Sequence, residues 1–345
     1  MTASKTAQLK LLREKQHRLD TTQLLRYTPY AYQSEFHGEG AGCAQRILMA
    51  ANRVGKTYCG AAETAYHLTG DYPSWWSGRK FNKPVRVWAA GESNDTTRDI
   101  IQSELFGNPQ DPSKKGTGAV PLSRIAETTR KPGVPNAFSS VLVKHKAGGN
   151  SHISFKAYEQ GFEKFMGEAV DVVWLDEEPK QEIFSQCITR TADTNGVVYM
   201  TFTPERGMTN VVSGFLNDLK PGQSLTTATW DDVEHLNEDT KKQLLAVYSP
   251  AEREMRSKGV PVFGSGLVYP VSEDDIICDD FDLPDHYAKL AGIDFGFDHP
   301  TAISWIALDP DNDVIYVYDE YRRSKETPIT HASALNARTP GIPVA

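Results

Sequence analysis

At 345 residues the chain is long enough to bury two sizeable cores. Its composition, 39% hydrophobic, 24% charged and 10% aromatic, is that of a globular protein; it argues against a disordered or fibrous chain, and no run approaches the roughly 18 apolar residues of a membrane span. A net charge of −8 argues against a generic basic nucleic-acid coat, but the charge is uneven: Lys114, Lys115, Arg124, Arg130, Lys131, Lys144 and Lys146 face Glu127 alone, whereas residues 273–285 carry acids and no base. The N-terminus lacks a secretory layout, and the scattered Cys43, Cys59, Cys187 and Cys278 form no CxxC, so reduced thiols in a cytosolic compartment are expected.

In chain order, residues 5–27 read as an amphipathic helix, with Leu9, Leu12 and Leu19 recurring among Lys and Arg until Pro29. Tyr32 and Gln33 follow, an aromatic ring that can stack and an amide that can pair with an adenine edge. Residues 47–51 are a short apolar strand, and 56–69 a helix closed by Gly70. A strand at 85–90 precedes the helix TTRDIIQSELF, with Ser93 or Asp95 as its cap. After a Gly/Pro-punctuated basic stretch come strands at 153–158, 172–176, 197–203 and 224–230; VVWLD is almost wholly apolar, as a strand buried on both faces requires. A helix over 238–257 leads to 258–288, whose glycines, prolines and acidic run read as a linker. Beyond it AGIDFGF, TAISWIALD and VIYVYDEY form a meander of strands. The expected organisation is an N-terminal helix over 1–28, an α/β domain with a mainly parallel sheet over 29–257, a linker over 258–288 and the start of a second domain over 289–345. That last span is too short for a mixed α/β core, so the second domain is expected to be truncated.

The strand-to-helix junction near residue 50 reads MAANRVGKTYCG. The phosphate-loop pattern G-x-x-x-x-G-K-[ST] wants glycine where Ala50 stands, and Arg53 intrudes among usually small residues. The rest is in order: backbone N–H groups of Asn52, Arg53, Val54 and Gly55 to cradle phosphates, Lys56 to reach the β- and γ-phosphates of ATP, and the Thr57 hydroxyl for Mg²⁺. VVWLDEEP then delivers carboxylates at the end of a buried strand: Asp176 to order Mg²⁺ and Glu177 to orient and deprotonate the attacking water, with Glu178 as its competitor. TFTP, 201–204, closes the next strand in hydroxyls, where Thr203 can sense the γ-phosphate.

These elements in this order resemble the large terminase subunit of tailed bacteriophages, the ATPase-nuclease that packages DNA into procapsids. The family's adenine motif is matched by Tyr32-Gln33, its divergent Walker A by AANRVGKT, its Walker B by VVWLDEEP, its coupling motif by TFTP and its first nuclease strand by AGIDFGFDHPTAISWIAL, so the resemblance runs across essentially the whole chain. Several terminases likewise lack the first glycine. The resemblance implies a P-loop ASCE-type ATPase followed by the start of a ribonuclease H-like α/β nuclease domain. It implies ATP and Mg²⁺ in the first, and two divalent metal ions, Mg²⁺ or Mn²⁺, in the complete second. Asp294 would be one ligand of that pair, with the others beyond residue 345, so this chain should not cut DNA by itself. Arg53 becomes a cis arginine finger, rivalled by a finger supplied in trans from Arg124 or Arg130 of a neighbouring subunit. The implied partners are double-stranded viral DNA, the portal protein, a small terminase subunit and further copies of the chain in a ring, a pentamer, on the portal. The implied location is the host cell cytoplasm, transiently at the procapsid portal and not in the mature virion. A superfamily-2-like helicase or remodelling ATPase is the alternative, since it shares an upstream Gln, a GKT and a DE box; no second core of that kind precedes the linker. A binding protein with a degenerate site fits Ala50 but fits poorly with Lys56, Thr57, Asp176 and Glu177.

Overall fold

The computed structural model describes residues 11–14, 23–261, 276–338 and 341–345. It divides into two units, 1–272 and 273–345. Of the helix expected over 5–27, residues 11–14 and Gln23–Arg26 are helical, Tyr27 lies just past the helix end, and the remainder lies outside the described residues, as does much of the expected linker.

The first unit is built on strands β1 (Gln45–Ala50), β2 (Arg86–Gly91), β3 (Ile125–Arg130), β4 (Phe138–Lys144), β5 (Asn150–Ala157), β6 (Val172–Asp176), β7 (Val197–Phe202) and β8 (Gln223–Ala228). They form one sheet in the order β3-β4-β5-β2-β6-β7-β1-β8. Every pairing from β5 through β8 is parallel. The pairs β3–β4 and β4–β5 are antiparallel. The parallel sheet is as expected; the antiparallel hairpin within the basic stretch is not. IAETTR and FSSVLVK are half polar because they serve a sheet edge, so they lack the apolar run that marks β6 and β7.

Side chains of the central strands alternate between two cores, as the two-residue period demands. Leu48, Trp174 and Tyr199 face one cluster, with Ala61 and Ala65 of the helix Lys56–Thr69. Met49, Val173 and Val198 face the other, covered by Ile183 and Phe184 of helix Gln181–Ala192 and Phe215 of helix Asn210–Asn217. The helix at Lys56 lies so close to β6 that a Cβ on Gly60 would stand 2.4 Å from the Trp174 indole nitrogen. The helix expected over 238–257 is two, Glu238–Val247 and Pro250–Lys258. Pro250 restricts Ser249 to extended backbone and offers no N–H, so Ser249 caps a new helix.

Beneath the phosphate loop, Arg46, Glu63, His37 and His67 are all fully buried. Arg46 is ion-paired with Glu63, His37 Nδ1 lies 2.7 Å from the same carboxylate, and His67 Nε2 lies 3.3 Å from it. Burial opposes ionisation of Glu63, but Arg46 and the two histidines outweigh it and hold the carboxyl well below its usual range. This network joins the helix Ala31–Glu39, strand β1 and the helix Lys56–Thr69 into one block.

The second unit is an antiparallel meander of β9 (Ala288–Asp294), β10 (Thr301–Asp309) and β11 (Val314–Arg323), with helix Pro328–Arg338 and a small core around Ala291, Ile303 and Trp305. Asp294, expected midway along an apolar strand, is the exposed last residue of β9, so no burial cost has to be met there. No helix among the described residues is long and apolar enough to cross a membrane.

Candidate active site

Strand order and register bring three chain segments to one sheet edge. β7 lies between β6 and β1, Asp176 stands opposite Thr201, and Thr201 stands opposite Leu48. The carboxyl ends of parallel strands are where such sheets open a crevice. The loop after β1 turns through Arg53 at φ 64° and Gly55 at φ 90°, and Gly55 then starts the helix Lys56–Thr69. A left-handed Arg53 is costly for a residue with a Cβ and is held there by its surroundings.

Those surroundings are an outer ring of donors. The Trp230 indole N–H donates to the Asn52 carbonyl at 2.8 Å, and His235 Nε2–H to the Arg53 carbonyl at 2.8 Å. The Tyr32 hydroxyl donates to the Val54 carbonyl, and Gln33 Nε2 to the Gly55 carbonyl at 3.1 Å. Asn52 is further fixed by its N–H on the Arg256 carbonyl at 2.9 Å and by Thr203, whose hydroxyl lies 2.7 Å from its side-chain oxygen and 2.9 Å from the Ala50 carbonyl. Among the described residues, no acceptor lies on the N–H groups of Arg53, Val54, Gly55 or Lys56. Four pinned carbonyls therefore oppose four open N–H groups at a helix start, the arrangement that binds an anion.

The acids complete the crevice. Asp176 is 4% exposed; its carboxylate accepts from Thr201 at 2.8 Å and from Thr57 at 3.2 Å. Burial pushes its carboxyl up to about 6 against those bonds and the charge of Lys56. Thr201 is itself positioned by the Trp174 indole at 2.9 Å. Glu177 sits at φ 65°, its N–H on the Thr201 carbonyl at 2.9 Å. Burial pushes it up to about 7, Lys56 opposing and Asp176 adding to the rise. The Tyr158 hydroxyl lies 2.9 Å from the Glu177 carbonyl and 3.1 Å from that of Asp176, so the acidic turn is fastened from the end of β5. Glu178 points elsewhere: it is buried and accepts from Thr209, the cap of helix Asn210–Asn217.

The arrangement therefore gathers Lys56, Thr57, Asp176, Glu177, Thr203 and the loop residues Asn52 to Gly55. Arg53 is exposed at the loop. A cleft of about 720 Å³ opens beside Gly55, lined by Tyr30, Tyr58, Gln33, Glu234 and His235. Arg124 is ion-paired with Asp71, whereas Arg130 is exposed at the end of β3. Asp294 stands in the other unit, and the described residues hold no group of three His, Cys, Asp or Glu able to bind a metal ion. Sequence reasoning missed Trp230, His235, Tyr158 and the Thr201 contact. The signal available was their place just beyond, or at the end of, strands β8, β5 and β7.

A family profile described as "Terminase large subunit, T4likevirus-type, N-terminal" matches residues 47–274. The large terminase subunit of Salmonella phage P22 is 35% identical over 354 residues, covering 98% of this chain and 71% of that protein. Among solved structures, the large terminase of a thermophilic bacteriophage superposes with a TM-score of 0.53 at 15% identity, over 90% of this chain and 74% of that one. A structure of the same thermophilic-phage terminase in complex with ADP gives 0.50 at 14%, over 90% and 73%. The ATPase domain of the Thermus phage P74-26 large terminase gives 0.50 at 16%, over 70% of this chain and 96% of that one. Those last three likenesses concern the fold. The profile and the P22 relative place this chain in the family of large terminase subunits of tailed bacteriophages, the ATPases of viral DNA packaging.

Proposed function

We propose that the crevice at the ends of β1, β6 and β7 binds MgATP and hydrolyses it to move double-stranded DNA into procapsids. The observation that carries this reading is the meeting of Thr57, Asp176 and Thr201 beside a loop whose N–H groups are open. The ADP bound by the thermophilic-phage terminase supports a nucleotide here. The order β6-β7-β1, with one strand between the acid strand and the loop strand, supports the ASCE-type assignment.

Asp176 is a buried carboxylate that accepts from hydroxyls, Thr57 among them, a donor set that fits a hard divalent ion, so Thr57 and Asp176 would hold Mg²⁺. When bound, Mg²⁺ neutralises charge developing on the phosphate oxygens. The chain's own residues do the rest. The N–H groups of residues 53–56 and the Lys56 ammonium hold the phosphates. Glu177, poised near neutrality by burial, takes the proton of the attacking water. Arg53 spreads transition-state charge as a cis finger. Arg130 is the better trans candidate, because Arg124 is committed to Asp71. Thr203, bonded to Asn52, carries the loop's state to the end of β7.

The basic stretch 114–146, with Lys114 exposed in the turn Pro112–Lys114 and Arg130 and Lys144 exposed on the β3–β4 hairpin, is the proposed DNA-tracking surface, a contact without sequence information. The portal protein, a small terminase subunit and a pentameric ring are the proposed partners, in the host cytoplasm at the procapsid. Asp294 is proposed as one ligand of a two-metal nuclease centre. The described residues do not by themselves fit two ions, so no cleavage step is derived for this chain. Phosphate release from MgATP, with and without duplex DNA, tests the reading. Turnover that Lys56→Ala abolishes is expected; turnover unchanged in Lys56→Ala would overturn it.

A further inference from the structure

Tyr32 and Gln33 occupy the place of a base-reading pair, yet the Tyr32 hydroxyl and both ends of the Gln33 amide are bonded to the protein. Gln33 Oε1 accepts from the Tyr30 N–H at 3.0 Å and faces the Tyr27 hydroxyl at 3.2 Å, while Nε2 donates to the Gly55 carbonyl. A backbone donor at one end and a backbone carbonyl at the other fix which end of the amide is which. Its oxygen, the atom that would accept from an adenine amino group, already accepts from the Tyr30 N–H and faces the Tyr27 hydroxyl, which it shares with His37 Nε2 at 3.0 Å. The Tyr32 hydroxyl is likewise spent on the Val54 carbonyl.

Trp230 and His235 arrive from beyond β8 and do the same to the two preceding carbonyls. Side chains from two separate segments thus cap four consecutive carbonyls, 52 to 55. In a planar trans peptide the C=O of one residue and the N–H of the next point opposite ways. Holding those carbonyls outward therefore aims the N–H groups of Arg53, Val54, Gly55 and Lys56 inward. Left alone, a loop with two left-handed residues and no first glycine would sample other orientations, and phosphate would have to order it on binding.

We infer that Tyr32, Gln33, Trp230 and His235 are positioning residues that clamp the phosphate loop open for a triphosphate, and that Gln33 serves the phosphates rather than the base. The inference rests on the nucleotide site proposed above. Its consequence is that the clamp acts alike on any ligand carrying the triphosphate, with or without a purine.

The test compares the affinity of the whole chain for MgATP, MgGTP and magnesium tripolyphosphate in the wild type, Gln33→Met and Trp230→Phe. Trp230→Phe removes the indole donor and keeps a ring, and Trp230 does not line the cleft beside Gly55. Each variant is expected to weaken all three ligands by the same factor, about tenfold for one lost bond to the loop. The ATP to GTP ratio stays fixed, and the KM for ATP rises with kcat little changed. A Gln33→Met variant that loses ATP but holds tripolyphosphate as the wild type does would overturn the inference, as would unchanged affinity for all three. If Gln33→Met does not fold, Trp230→Phe decides by the same criteria. Failure of the wild type to bind either MgATP or tripolyphosphate would instead defeat the nucleotide site itself.

Discussion

Asp176 and Asp294 each end an apolar strand, and the sequence around them, VVWLD and AGID, looks alike. Their surroundings are opposite. Asp176 ends β6, which has parallel neighbours on both sides and helices over both faces; it is buried, bonded to two threonines and pushed up to about 6 by burial. Asp294 ends β9 at the margin of a three-stranded sheet and is exposed. A strand-end carboxylate becomes chemically poised when the layers over its sheet exclude water. Strand hydrophobicity alone does not do it.

That contrast can be broken or sharpened by substitution, and the largest effect is expected at the loop facing Asp176. Arg53→Ala should lower single-turnover ATP hydrolysis by roughly a thousandfold, the scale of an arginine finger, with little change in ATP affinity. Lysine should rescue poorly, because a point charge lacks the planar fork. Normal turnover in Arg53→Ala would remove the finger from the mechanism.

The pH profile addresses the same poise. A general base works only when deprotonated, and burial raises Glu177 to about 7, so the proposed base is lost as pH falls through that value. The acid limb of kcat/KM should break near 7 and drop roughly tenfold per unit below it. A flat profile from about pH 5 to about pH 8 would mean that Glu177 is not the titrating base.

Beneath the loop, Glu63→Gln leaves Arg46 buried without its counter-charge. It should cost about 3–5 kcal/mol in denaturant unfolding. A change under about 1 kcal/mol would show that the first unit's rigidity does not depend on that pair. At the other end of the comparison, Asp294→Asn should leave ATP turnover unchanged and shift stability by less than about 0.5 kcal/mol. A large loss in either would mean that the exposed aspartate is held by contacts beyond those described.

What can be read from the sequence follows the same divide. β6 and β7 are plain because burial on both faces leaves continuous apolar runs, and Lys56, Thr57, Asp176 and Glu177 are plain because they stand in a recognisable motif order near strand ends. The hairpin of β3 and β4 is hidden by half-polar strands around KPGVP. Helix Gln181–Ala192 repeats apolar residues at Ile183, Phe184 and Cys187, a short pattern masked by the acidic motif beside it. The ring of Trp230 and His235, and the Arg46–Glu63 pair, join residues far apart in the chain. Pattern does not reveal such meetings, although a charge inside an apolar element, as at Arg46 and Glu63, announces that a partner must exist.

The central claim is that Glu177, and not its neighbour Glu178, activates water. Glu177 lies at the crevice beside Lys56 and Asp176, whereas Glu178 is buried against the helix cap Thr209. The most direct measurement is MgATP binding and phosphate release for Glu177→Gln and Glu178→Gln side by side. The account predicts that Glu177→Gln binds MgATP like the wild type and loses turnover by roughly two to four orders of magnitude, while Glu178→Gln keeps most of its turnover. Full turnover in Glu177→Gln together with its loss in Glu178→Gln would contradict it.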